Sequence, residues 1–202
     1  YAFAAGEEDE AATDFGSTWP SLPRTTLTGR HGMPRWLLYG STAVPQPSSS
    51  TTAWLADGTE LLGETVQPAV VAPGESPQLT LYWRSAGPLA KDYAVFVHVV
   101  DGGGQRVGQH DKQPLGGSYP TSRWRDGDLI VDRFHPIVDP GTEPGSYAIL
   151  AGWYDQTTGE RLTVHDAAGR PLPESAVTLA TRLRVVDRRG AHATTPHAPG
   201  GD

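Results

Sequence analysis

Between residues 57 and 187 apolar side chains recur with a period of two, and turns built on Gly, Pro or Asp interrupt them roughly every 8–15 residues. A period of two is the pleat of a half-buried strand, so a chain patterned this way cannot lay its apolar residues along a helix. Leu79, Leu81 and Trp83 alternate with Thr80, Tyr82 and Arg84. Tyr93, Val95, Val97 and Val99 alternate with Ala94, Phe96, His98 and Val100, a strand apolar on nearly both faces and so placed centrally. Asp101-Gly102-Gly103-Gly104 reads as a turn, and Arg106 to Gln109 returns from it as a hairpin. Further strands are expected at Leu61–Val66, Leu129–Phe134 and Ser146–Tyr154, with a short partner over Arg161–Val164. A last alternating strand runs over Val177–Val186. Seven to eight strands, and no helical period beside them, predict an all-β protein: an antiparallel β-sandwich. Roughly 130 residues suffice for such a core without a disulfide or metal staple.

Flanking segments lack this period. Residues 1–56 carry Pro20, Pro23, Pro34, Pro45 and Pro47, then Ser48-Ser49-Ser50-Thr51-Thr52, and read as an extended Pro/Ser/Thr-rich arm. Trp19, Trp36 and Trp54 are unusual in a disordered tail, so part of the arm is expected to lie on the domain, with Trp36-Leu37-Leu38-Tyr39 as the contact. Residues 188–202 read as a flexible tail.

Composition removes several function classes. There is no Cys, which excludes disulfides, thiol nucleophiles and Cys-ligated zinc. The net charge of −7 argues against a nucleic-acid face. No apolar run approaches the ~18 residues of a spanning helix, so no membrane span is expected in this chain. Asn is absent, which removes Asn-linked glycosylation sites, and Lys occurs only at positions 91 and 112. Depletion of Asn, Cys and Met fits a GC-rich coding bias and also heat adaptation. Tyr1-Ala-Phe-Ala-Ala5-Gly6 fits the remnant of a signal-cleavage region, and equally the outer end of a membrane helix, followed by the solvated acidic run Glu7–Glu10. Either origin implies an extracytoplasmic location, secreted or at the cell surface.

An ordered series of short motifs runs through the strand region. It comprises Leu81-Tyr82-Trp83-Arg84, Asp92-Tyr93-x-Val95-Phe96-Val97-His98 and Gln109-x-Asp111-x-x-Pro114, then Gly117-x-Tyr119-Pro120-Thr121-Ser122-x-Trp124 and Asp126-Gly127-Asp128-x-x-x-Asp132. Pro144-Gly145-x-Tyr147 and Gly152-x-Tyr154-Asp155-x-x-Thr158-Gly159-Glu160-Arg161-Leu162 complete it. The series resembles a bacterial β-sandwich domain found as the extracytoplasmic C-terminal part of multi-span membrane proteins similar to dolichyl-phosphate-mannose-type glycosyltransferases. The resemblance covers about residues 57–187 and implies an immunoglobulin-like sandwich outside the membrane. It implies no established catalytic residues.

The segment from Gln109 to Asp132 concentrates the chemistry. Flat aromatics stack on sugar C–H faces while carboxylates and Arg bond hydroxyls, and Tyr119 and Trp124 lie among Asp111, Arg123, Asp128 and Asp132. These six residues are the candidate ligand site. The structural alternative has Trp124 plugging one end of the sandwich while the aspartates anchor a long loop. Asp126, Asp128 and Asp132 do not follow a calcium-loop spacing. Asp111 and Asp128 are a conceivable hydrolase pair, but nothing else marks a glycosidase. No Gly-x-Ser-x-Gly elbow accompanies the His residues. The leading expectation is a non-catalytic accessory or structural module of a bacterial cell-envelope protein, with no cofactor. Two alternatives stand beside it: a carbohydrate-binding module using Trp124 and Tyr119, whose partner is a glycan, and a surface-assembly subunit that forms homo-oligomers through its N-terminal arm.

Overall fold

The computed structural model describes residues 46–187 throughout, together with the backbone of three earlier strands. Those three are β1 (Ala2–Phe3), β2 (Arg24–Thr28) and β3 (Pro34–Tyr39). Then follow β4 (Ala53–Leu55), β5 (Glu60–Gln67), β6 (Val70–Val71), β7 (Gln78–Ala86), β8 (Tyr93–Val100) and β9 (Arg106–Lys112). After two short 3-10 turns come β10 (Asp126–Phe134), β11 (Ile137–Val138), β12 (Gly145–Asp155), β13 (Val164–His165), β14 (Val177–Thr178) and β15 (Leu183–Val185). The expected contact through the side chains of Trp36 to Tyr39, the environment of Trp19 and the tail 188–202 lie outside the described residues. Among the described residues there is no α-helix, and no helix long and apolar enough to cross a membrane.

The strands form two sheets, and the molecule is an all-β sandwich. Sheet one has the order β13-β4-β5-β7-β10-β1-β3-β2, and sheet two the order β11-β9-β8-β12-β15-β6 with β14 also on β12. Pairing is antiparallel except where β1 meets β10 and β6 meets β15. The chain passes between the sheets from β7 to β8, back from β9 to β10, and across again from β10 to β11. This alternation is compatible with an immunoglobulin-like arrangement. Tyr147 adds a feature of such folds: at the start of β12 its hydroxyl donates to the Glu143 carbonyl at 2.6 Å, pinning the corner that Pro144-Gly145 turns.

Alternation decides what lies inside. Leu79, Leu81 and Trp83 of β7 and Ile130 and Phe134 of β10 face Val95, Val97 and Val99 of β8 and Ile149, Ala151 and Trp153 of β12. Each of the larger side chains contributes about 1.5–3 kcal/mol by leaving water. Trp153 stands edge-on to Trp83, with ring centroids 5.2 Å apart, so the two sheets meet through interlocked indoles. The outer face of sheet two is also covered. Phe96 crosses directly over Gly152 and carries the Arg161 guanidinium on its ring at 4.3 Å.

Two strand expectations need correction. Val177–Val186 is not one strand: it breaks between β14 and β15, because Ala180 and Thr181 turn their amides to side chains of Thr51 and Glu64. The partner strand expected over Arg161–Val164 reduces to one bridge between Arg161 and Tyr154, and Val164–His165 pairs with β4 in the other sheet.

Candidate functional site

Residues 113–125 carry the chain from β9 in sheet two to β10 in sheet one. A loop this long stays ordered only if its backbone groups find partners. Thr121 provides them, wholly buried. Its hydroxyl donates to the Lys91 carbonyl at 2.6 Å and accepts from the Tyr93 amide at 3.0 Å, while its carbonyl accepts from the Leu89 amide at 3.1 Å. Asp92 accepts from the Ser122 amide at 3.1 Å. The loop is thus sewn to the connection between β7 and β8.

Trp124 follows this stitch and is 1% exposed. Its ring stands perpendicular to Trp153, centroids 5.3 Å apart, and its Nε1 donates to the Tyr119 carbonyl at 3.0 Å. Three tryptophans from two strands and a loop therefore close one end of the core. This corrects the expectation that Trp124 offers a face to a sugar: neither face of the ring reaches solvent.

Tyr119 and Asp128 do meet. The phenol donates to Asp128 Oδ2 at 2.5 Å, and the same oxygen accepts from the Arg125 amide at 2.9 Å. Burial, and then the hydrogen bond to Asp128, push the Tyr119 phenol up to about 12. Arg123 is exposed on the 3-10 turn that precedes Trp124.

The other two candidates point elsewhere. Asp111 pairs across β8 with Phe96 and so lies on the outer face of sheet two, where its carboxylate sits 3.6 Å from His98 Nε2. Asp132 points the opposite way, into the core between Ile130 and Phe134, and is 2% exposed. Its partner is Lys112 of β9, Nζ to Oδ1 2.5 Å. Burial pushes the Asp132 carboxyl up, and the Lys112 ammonium partly opposes that rise. The six candidates are therefore not one constellation: a half-buried pair, a core indole, a core ion pair, an outer-face carboxylate and a solvated Arg. Asp111 and Asp128 belong to different sheets and share no site. Among the described residues no group of three His, Cys, Asp or Glu side chains is arranged to hold a metal ion.

Lys112, Thr121 and Glu64 hold the sandwich together and are not among the six candidates. Glu64 is wholly buried, taking Thr51 Oγ1 at 2.7 Å and the Thr181 amide at 2.8 Å. A carboxylate inside an otherwise apolar strand, and one of only two lysines beside a run of aspartates, were the available signals.

No family model and no curated protein matches the chain. Among solved structures, a chain of the CaDoc0917–CaCohA2 complex is similar at 10% identity, over 58% of this chain and 93% of that one, with a TM-score of 0.24. A likeness of that size carries no argument about role.

Proposed function

We propose that this chain is a non-catalytic module of a bacterial cell-envelope protein, acting outside the cytoplasm as a structural or accessory unit. One observation carries the reading. In the segment with the densest functional chemistry, the aromatic and acidic groups are engaged internally: Trp124 in the core, Asp128 on Tyr119 and Arg125, Asp132 on Lys112. A ligand pocket instead turns a few convergent polar groups into a concave, solvent-reached site. The envelope setting is supported by the motif series over residues 57–187 and its resemblance to an extracytoplasmic domain.

The test has two arms. Calorimetric titration of the full chain with soluble envelope oligosaccharides is expected to show no heat of binding. Saturable binding that Tyr119→Phe abolishes would overturn the reading in favour of a carbohydrate module. Fractionation of the source cells is expected to recover the chain outside the cytoplasm, and a cytoplasmic pool would refute the envelope setting.

A surface-assembly role has one observation in its favour. β1 pairs with β10 in parallel only at Leu129 and Ile130, so strands distant in sequence extend sheet one beyond β10. Sedimentation of the full chain and of a chain lacking residues 1–45 separates the readings. The accessory module predicts monomers for both. An oligomer that the deletion dissolves supports assembly.

A further inference from the structure

Lys112 and Asp132 face one another across the space between the sheets. Strand alternation turns Lys112 to the inner face of β9, opposite Val95, and Asp132 to the inner face of β10. Nζ lies 2.5 Å from Oδ1, while Oδ2 is buried and has no hydrogen-bond partner. The Phe134 ring sits 4.6 Å from Nζ and forms an apolar wall. We propose that Lys112 and Asp132 become joined by an amide bond, an intramolecular isopeptide cross-link that the folded chain forms without another protein.

Three features of the site favour the reaction. An ammonium and a carboxylate taken out of water lose much of their solvation, which favours transfer of a proton between them and yields the amine and acid that react. Burial acts on Asp132 in that direction. The fold holds the nucleophile against the carboxyl group, replacing an encounter in solution by a fixed approach. Backbone amides of Leu115 and Arg133 also hydrogen-bond the carboxylate; they oppose its rise in the resting pair, and the same donors stabilise negative charge developing on the carboxyl oxygen during attack.

The step balances within the pair. The ammonium gives one proton to Oδ2. The neutral amine attacks Cγ, the N–Cγ bond forms and the Cγ–Oδ2 bond breaks. Oδ2 leaves as water, carrying the transferred proton and one more from the nitrogen. No oxidant, nucleotide or metal enters, and the chain becomes lighter by one water. The Lys112 side chain is 23% exposed, which leaves that water a way out.

The other lysine is an internal control. Lys91 pairs with Asp155, but it is 55% exposed and Asp155 Oδ1 accepts from the Thr157 amide. The Lys91 hydrogen bond and that amide hold the Asp155 carboxyl below the usual carboxylate range, which keeps the pair ionised and unreactive.

Intact-mass measurement of the denatured full chain tests the proposal, followed by tryptic digestion. The expected mass is one water below the sequence mass, and the expected digest contains a branched peptide joining residues 107–123 to residues 126–133, uncut after Lys112. Lys112→Arg is expected to restore the full mass. A full sequence mass in the native protein overturns the proposal. So does a loss of one water without the branched peptide, which marks a succinimide at an aspartate, or a link through Lys91. The outcome is independent of the accessory-module reading, because a cross-linked sandwich and an unlinked one serve that role alike.

Discussion

Trp124 anchors a loop by filling the end of the core, and its removal measures how much that anchor contributes. The indole is 1% exposed and packs edge-on against Trp153. Trp124→Ala removes that burial and opens a cavity between the sheets, so a loss of about 3–5 kcal/mol is expected. Urea denaturation followed by far-ultraviolet circular dichroism gives the number, and a loss below about 1 kcal/mol would mean the loop holds without its indole. Tyr119 offers a separate test at the same scale. Its phenol titrates near pH 10 in the unfolded chain and at about 12 in the folded one, so folding favours the protonated form. The stability this adds is complete below pH 10 and is lost as pH rises toward 12. Ultraviolet titration of the native protein should show a late phenol that Tyr119→Phe removes.

At the scale of the element, β12 shows what the sequence could and could not convey. Its alternation of Tyr147, Ile149, Ala151 and Trp153 is visible by eye, and the strand forms where that pattern lies. β7, β8 and β10 were legible for the same reason: their inner faces are apolar apart from Ser85 and Asp132. Gly152 was not legible as a packing site, because its meaning comes from another strand. A Cβ there would stand 2.4 Å from Phe96 Cζ and 2.7 Å from the Ser175 carbonyl oxygen. The ring has room to turn only if the backbone at Ser175 also yields, so Gly152→Ala is expected to destabilise by about 1–3 kcal/mol. Gly141→Ala meets open space and is expected to stay within about 0.5 kcal/mol of the parent. Equal thermal midpoints for the two variants would contradict the packing at Phe96. The candidate site was legible only in part. Tyr119 and Asp128 do meet across nine residues, but Asp111 and Asp132 separate because one-residue phase differences along β9 and β10 send them to opposite faces.

On the scale of the whole molecule, the sandwich must join segments more than a hundred residues apart, and Glu64 is where it does so. Ser49 and Glu64 exchange backbone hydrogen bonds, Ser49 N to Glu64 O at 3.0 Å and the reverse at 2.9 Å. The Glu64 carboxylate then holds Thr51 and the Thr181 amide, and Thr51 Oγ1 in turn accepts from the Ala180 amide at 2.9 Å. The segment leading into β4, strand β5 of sheet one and the entry to β15 of sheet two therefore share one buried side chain. No local pattern announces such a latch, since its three parts lie at positions 49–51, 64 and 180–181. Glu64→Ala leaves the Thr181 amide and the Thr51 hydroxyl without their acceptor, at about 1–3 kcal/mol for each group left unpaired. Glu64→Gln keeps one oxygen for Thr181 and lets the Thr51 hydroxyl accept from the new amide, so it should lose less. Amide hydrogen exchange distinguishes a latch from a merely buried residue. In Glu64→Ala the Ala180 and Thr181 amides should exchange faster, out of proportion to the amides of β8. If all amides accelerate together, Glu64 contributes only to global stability and the two ends of the sandwich are held elsewhere.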